Sequence, residues 1–115
     1  VTDSPLPCPA PGPRSLRVRP LPERAGWRAG GEITLATRPL WERTLRLLSA
    51  SPQEVCRLEL SAVTFVDLGG VSALAVTAQE LPAGRRIVLD RPPAAMPRLL
   101  DMFWPGLPAV DVVAR

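Results

Sequence analysis

The residues best placed to do chemistry are Asp67, Leu68, Gly69, Gly70, Val71 and Ser72, which follow the apolar run Val63-Thr64-Phe65-Val66. The run ends at an acidic residue, two glycines supply a sharp turn, and a small-residue helix begins after Gly70. That order is a strand delivering a loop onto a helix N-terminus. Such a junction presents backbone N–H groups and a partial positive charge, and a phosphate, a phosphorylated side chain or a partner's loop docks there. The plainer reading is a tight strand-to-helix turn capped by Asp67. Both readings stand at this stage.

Composition removes most other chemistry. The chain has 115 residues, enough for one domain with one modest core. All fourteen basic residues are Arg, with no Lys, His or Tyr. Without His there is no Ser-His-Asp triad, His-ligated metal or His general base. No acid–base pair or activated nucleophile stands out, so the expectation is a protein that is not an enzyme, with no metal and no cofactor. Cys8 and Cys56 are far apart and form no Cys-x-x-Cys, which fits unpaired thiols in a reducing, cytoplasmic setting. Arg with abundant Ala, Pro and Gly fits a GC-rich bacterial genome. The sequence holds no signal peptide h-region and no apolar run of membrane-spanning length, so no membrane association is expected.

The formal charge of +3 is local. Residues 1–30 hold five Arg against Asp3 and Glu23, while residues 31–115 hold nine Arg against nine acids. A nucleic-acid surface needs a basic stripe interleaved with aromatics, and the sequence shows none, so nucleic acid is not an expected partner.

The elements that must position the turn are read from pattern. Pro5, Pro7, Pro9, Pro11 and Pro13 fix every second φ, so residues 1–14 read as a disordered Pro-rich leader and residues 15–115 as the folded domain. Leu16 and Val18 alternate with Arg17 and Arg19, and Trp27 and Ala29 flank Arg28 before Gly30-Gly31. Two antiparallel edge strands are predicted. Thr37 before Arg38-Pro39 predicts a helix over 38–50, filled by Leu40, Trp41, Thr44, Leu45, Leu47 and Leu48. Cys56, Leu58 and Leu60 predict the strand leading into the turn. Val71, Leu74, Ala75, Ala78 and Leu81 form the inner stripe of the next helix. Arg86-Ile87-Val88-Leu89 is a short buried strand. Pro92-Pro93 opens a last helix, with Pro97 in its first turn and Met96, Leu99, Leu100 and Phe103 as its core stripe. Trp104 either folds back beside Val110 or stands out as an anchor for a partner or a second copy. Val110, Val112 and Val113 make the final strand. The order β-β-α-β-α-β-α-β predicts an α/β fold, a mixed sheet with helices mainly on one face.

From Leu16 to Val113 this pattern resembles the STAS family, named for sulphate transporters and anti-sigma factor antagonists, and most of all its small bacterial antagonists. The likeness rests on Gly31-Glu32-Ile33 with Leu35, on Leu60-Ser61 and Val63-Thr64-Phe65-Val66-Asp67, and on Gly70-Val71 with Leu74. It continues through Ile87-Val88-Leu89, Pro92-Pro93-Ala94 and Leu99-Leu100. The resemblance implies partner switching. The unmodified protein binds an anti-sigma factor that is also a serine kinase, and phosphorylation at the start of helix 2 ends the binding by adding about −1.5 to −2 of charge.

Where the family reads Asp-Ser-Ser/Thr-Gly, this sequence reads Asp67-Leu68-Gly69-Gly70, and Thr34 stands where many members carry Asp. Neither Leu68 nor Gly69 accepts phosphate; Ser72 is the nearest substitute. The resemblance therefore implies a protein-interaction module that binds an anti-sigma factor or kinase-like partner through Asp67, Leu68, Gly69, Gly70, Val71 and Ser72. Phosphorylation at the usual position is not expected, and a homodimer is compatible with the reading. The alternative is a ligand-sensing or scaffold module holding an anion or nucleotide at the helix 2 N-terminus.

Overall fold

A computed structural model describes residues 15–113. The leader assigned to residues 1–14, and Cys8 within it, lie outside the described residues. The strands are β1 (Leu16–Pro20), β2 (Gly26–Ile33), β3 (Val55–Val66), β4 (Arg86–Asp90) and β5 (Val110–Val113). The helices are α1 (Arg38–Ala50), α2 (Leu68–Gln79) and α3 (Ala95–Phe103), with a short 3-10 turn at Leu35–Thr37. The sheet order is β1-β2-β3-β4-β5, antiparallel between β1 and β2 and parallel thereafter. Each β-α-β crossover steps one strand in the same direction. Right-handed crossovers of that kind put every helix on the same side of the sheet.

The core lies between that face and the helices. Trp41, Leu45 and Leu48 of α1, Val71, Leu74, Ala75 and Ala78 of α2, and Met96 and Leu100 of α3 are buried against Ile33, Leu58, Leu60, Val63, Val66, Ile87 and Leu89. The opposite face, with Arg28, Arg57, Glu59 and Asp90, carries none of the described helices.

Several expectations are corrected. The strand leading into the turn is β3, 12 residues long as expected of one continuous strand but bent by two irregularities in its register with β2. Arg28 pairs with Glu59 but Gly30 with Ala62, and Gly31 pairs with Val63 but Glu32 with Phe65, so β3 holds an extra residue at each step. The inward residues are therefore Leu60, Val63 and Val66, three apart, and Phe65 turns outward, 49% exposed. β2 is not an edge strand. It runs through Gly30-Gly31 to Ile33 between β1 and β3.

α1 has the predicted bounds, but Leu40 and Leu47 are exposed and only Trp41, Thr44, Leu45 and Leu48 face inward. α3 begins at Ala95, beyond Pro92-Pro93, with Pro97 in its first turn as expected. Phe103 is 53% exposed, whereas Trp104 packs against the core and lines a cleft with Leu107, Val110 and Val112. The sheet edge is covered by the tryptophan and not by the phenylalanine. Trp104 is the C-cap of α3, with φ −135° and ψ 58°, and leaving helical geometry there lets the indole swing back to β5.

Candidate functional site: the start of α2

The two glycines are not a turn ahead of the helix. α2 starts at Leu68, so Gly69 and Gly70 lie in its first turn, and neither has a positive φ. Glycine is demanded here by space. A Cβ on Gly70 would lie 2.6 Å from Cγ2 of Ile33 and 3.0 Å from Cγ2 of Val66, so the helix rests directly on the ends of β2 and β3. The amide of Asp67 donates to the carbonyl of Ile33 at 3.0 Å, joining the strand ends where the helix begins.

Asp67 is the N-cap. Its Oδ1 accepts the Gly70 N–H at 2.8 Å, the bond that satisfies one of the helix's orphan donors, and such a cap contributes about 1 kcal/mol. The same carboxylate is gripped by Arg38, from the first turn of α1, whose Nη2 lies 3.0 Å from Oδ1 and 3.1 Å from Oδ2. The Arg38 guanidinium then fills the space beside Gly69, where a Cβ would lie 2.4 to 2.7 Å from its Nη2, Nη1 and Cζ. Its Nε is buried with no hydrogen-bond partner among the described residues. One layer deeper, the buried Trp41 donates from Nε1 to the Gly70 carbonyl at 2.9 Å, pinning α2 to α1. The charge at this helix start is thus neutralised internally.

Around the pair the surface is apolar. Leu68, next to the cap, is 47% exposed, and Leu35, three residues before Arg38 in the turn that follows β2, is 78% exposed. Among the six residues singled out in the sequence, Gly70 and Val71 are buried, Asp67, Gly69 and Ser72 are half-buried, and only Leu68 is fully presented. Thr34 serves the backbone: its N–H donates to Oγ1 of Thr37 at 2.9 Å, and that hydroxyl donates to the Glu32 carbonyl at 2.8 Å. Sequence reasoning missed Arg38 and Leu35. Arg38 was readable only as a helix-start residue, since its partner lies 29 positions away.

The family model described as "Mlab, STAS domain" matches residues 17–103. The chain belongs to the STAS domain family. A solved structure similar to this STAS domain is the crystal structure of an anti-sigma factor antagonist from Mycobacterium paratuberculosis. The TM-score is 0.73, the sequences are 20% identical, and the match covers 90% of each chain. At that identity the likeness is one of fold, the mixed five-stranded sheet with three helices. Comparison with curated proteins finds no match. Among the described residues no helix is long and apolar enough to cross a membrane.

Proposed function

We propose that this STAS domain is a non-enzymatic protein-interaction module of the anti-sigma factor antagonist kind. Through the start of α2 it binds an anti-sigma factor or a serine-kinase-like partner, and it is not phosphorylated at the family's usual position. The observation that carries the reading is the Arg38–Asp67 pair beside Gly69. No hydroxyl stands at 68 or 69, and a guanidinium occupies the space into which a side chain at 69 would project. What the turn offers a partner is Leu68 and Leu35 around a closed ion pair, an apolar centre with a small polar core. The anion- or nucleotide-holding alternative is disfavoured by the same geometry, because Asp67 already occupies the helix N-terminus with negative charge and neutralises Arg38.

The test is calorimetric titration of the cognate anti-sigma factor, followed by incubation with its kinase activity and ATP. A saturable complex, and residues 63–74 unmodified by mass spectrometry, are expected. Failure to form a complex overturns the binding role, and a phosphopeptide at Ser72 or Thr64 overturns the claim of an unmodified turn. Leu68→Asp should weaken the complex about tenfold or more by burying a charge at its centre. Gly69→Ser should be modified more readily than Leu68→Ser, because the second of the family's two hydroxyl positions is the modified one; the reverse order would show that this correspondence is wrong.

A further inference from the structure

The helix-free sheet face carries a second cluster unconnected with the start of α2. Glu59 is on β3, and its carboxylate is buried although no helix covers it, because neighbouring side chains do. Its Oε1 lies 3.3 Å from Nε of Arg28, and its Oε2 accepts from Nη2 of Arg91 at 2.9 Å and from the Ser61 hydroxyl. Burial alone would raise its pKa. The Ser61 hydrogen bond and the Arg91 and Arg28 charges outweigh that and hold it below the ordinary glutamate range. Glu59 is thus a fixed anion at the floor that orients two guanidinium groups.

Arg91 reaches it from the end of β4 with φ +52°, the one positive φ at a non-glycine among the described residues. For a residue with a Cβ that conformation is unfavourable, and here it turns the backbone where β4 ends.

A third guanidinium has only a distant ion pair among the described residues. Arg57 is three-quarters covered, with 27% of its side chain exposed, yet its guanidinium makes no hydrogen bond to any described residue. Its nearest carboxylate oxygen, on Asp90, is 3.7 Å away. The hairpin loop after β1 comes down beside it because Gly26 has φ +141° and touches the Arg57 backbone, where a Cβ would lie 1.9 Å from the carbonyl oxygen. That loop brings Arg24, which has no ion pair among the described residues. Arg24, Arg28, Arg57 and Arg91 together line a cleft of about 250 Å³ whose acids are Glu23, Glu59 and Asp90.

We propose that this cleft binds a tetrahedral dianion of the phosphate type, either free phosphate or the phosphoryl end of a monoester. The recognition is by planar donors in a fixed arrangement. Arg57 and Arg24 supply guanidinium N–H groups with no hydrogen-bond acceptor among the described residues, and Arg28 and Arg91 supply the N–H groups that Glu59 does not use, with Asp90 lying 3.7 Å from both Arg57 and Arg91. Paired N–H donors from arginine match phosphate oxygens. The cleft is sized for a compact polar group and not for an apolar ligand, since charged side chains form most of its lining.

The test is titration of the full chain with inorganic phosphate and, separately, phenyl phosphate, at constant ionic strength set with chloride. It is followed by calorimetry and by amide and guanidinium NMR shifts. Saturable binding with shifts at Arg24, Arg28, Arg57 and Arg91 is expected, weakened about tenfold in Arg57→Gln by loss of charged hydrogen bonds and unchanged in Arg43→Gln on α1. Arg24→Gln, in the hairpin loop and outside the sheet, should weaken binding in the same direction and serves if Arg57→Gln does not fold. Equal affinity for the two probes would mean that free phosphate suffices, and tighter phenyl phosphate that the site takes a monoester. No saturable binding, shifts confined to other residues, or unchanged affinity in both variants would overturn the proposal. None of these results bears on partner binding at α2.

Discussion

Two acid–arginine clusters sit on opposite sides of the sheet, and they differ in what they leave over. At the start of α2, one carboxylate takes one guanidinium and one backbone N–H, and the surroundings, Leu68 and Leu35, are apolar. On the open face, one buried carboxylate holds two arginines while a third, Arg57, has only the Asp90 carboxylate, 3.7 Å away, and the loop residue Arg24 has no ion pair among the described residues. A charge pair closed on itself suits a surface that a protein covers, since no unpaired ion is stranded on burial. A cluster with spare donors suits an anion. The difference arises from connectivity: helix starts gather at the C-terminal ends of β2 and β3, while the open face receives only strand residues and the hairpin loop.

The sharpest way to break the first region is Trp41→Ala. The indole is fully buried and donates to the Gly70 carbonyl, so the change removes core volume and leaves that carbonyl without its side-chain donor. A loss of about 3–5 kcal/mol in chemical denaturation is expected. Phosphate binding on the opposite face should survive in whatever fraction remains folded.

Next in size is Gly70→Ala. The new methyl would press on Ile33 and Val66, side chains held by the core at the strand ends, and a loss of about 1–3 kcal/mol should appear in the same assay. A stability equal to wild type would mean that α2 can lift from the sheet, and the rigidity attributed to this helix start would be lost with it.

The comparison also separates what the sequence made legible from what it did not. The bounds of α1, the alternation of strands and helices, the inner stripe of α2 from Val71 to Ala78, though not Leu81 beyond its end, and the cap at Asp67 were readable, because each depends on local spacing or on a residue within one turn. Phe103 was misread because strict helical periodicity was extended to the last residue of α3, where the chain leaves the helix. The arginine cluster on the open face was not legible, because charge can be counted only along the chain. Arg28, Arg57 and Arg91 lie far apart in sequence and meet only through strand register, Arg28 opposite Glu59 and Glu59 opposite Asp90. Pairings of that range are set by the sheet and leave no mark in a window of neighbours.

Acid sharpens the second region. Because the folded pKa of Glu59 is lowered, the stability it contributes is complete above the ordinary glutamate pKa and drains away as pH falls through the lower folded value. Glu59→Gln should cost about 1 kcal/mol at neutral pH, the size expected for charged hydrogen bonds whose arginine partners are half exposed. The difference between wild type and variant should shrink toward zero in the acid range. A gap that stays constant with pH would mean that the carboxylate's charge does not hold Arg28 and Arg91 in place.

The smallest expected effect is that of Gly69→Ala, one residue from the costly Gly70→Ala. Here the added Cβ meets only the far end of the Arg38 side chain, a flexible group and not a branched core side chain. Two terms then oppose each other. Loss of a partly exposed Arg38–Asp67 pair costs about 0.2–1 kcal/mol, and replacing a first-turn glycine by alanine returns up to about 1 kcal/mol of backbone entropy. The net change in unfolding free energy should lie within about 0.5 kcal/mol. Binding to the α2 partner is the more sensitive readout, because the displaced guanidinium would then stand free beside Leu68 as an uncompensated charge in the contact. If Gly69→Ala destabilises the protein as much as Gly70→Ala does, Arg38 is as fixed as Ile33 and Val66. The pair would then be part of the core and not a closed lid over the helix start.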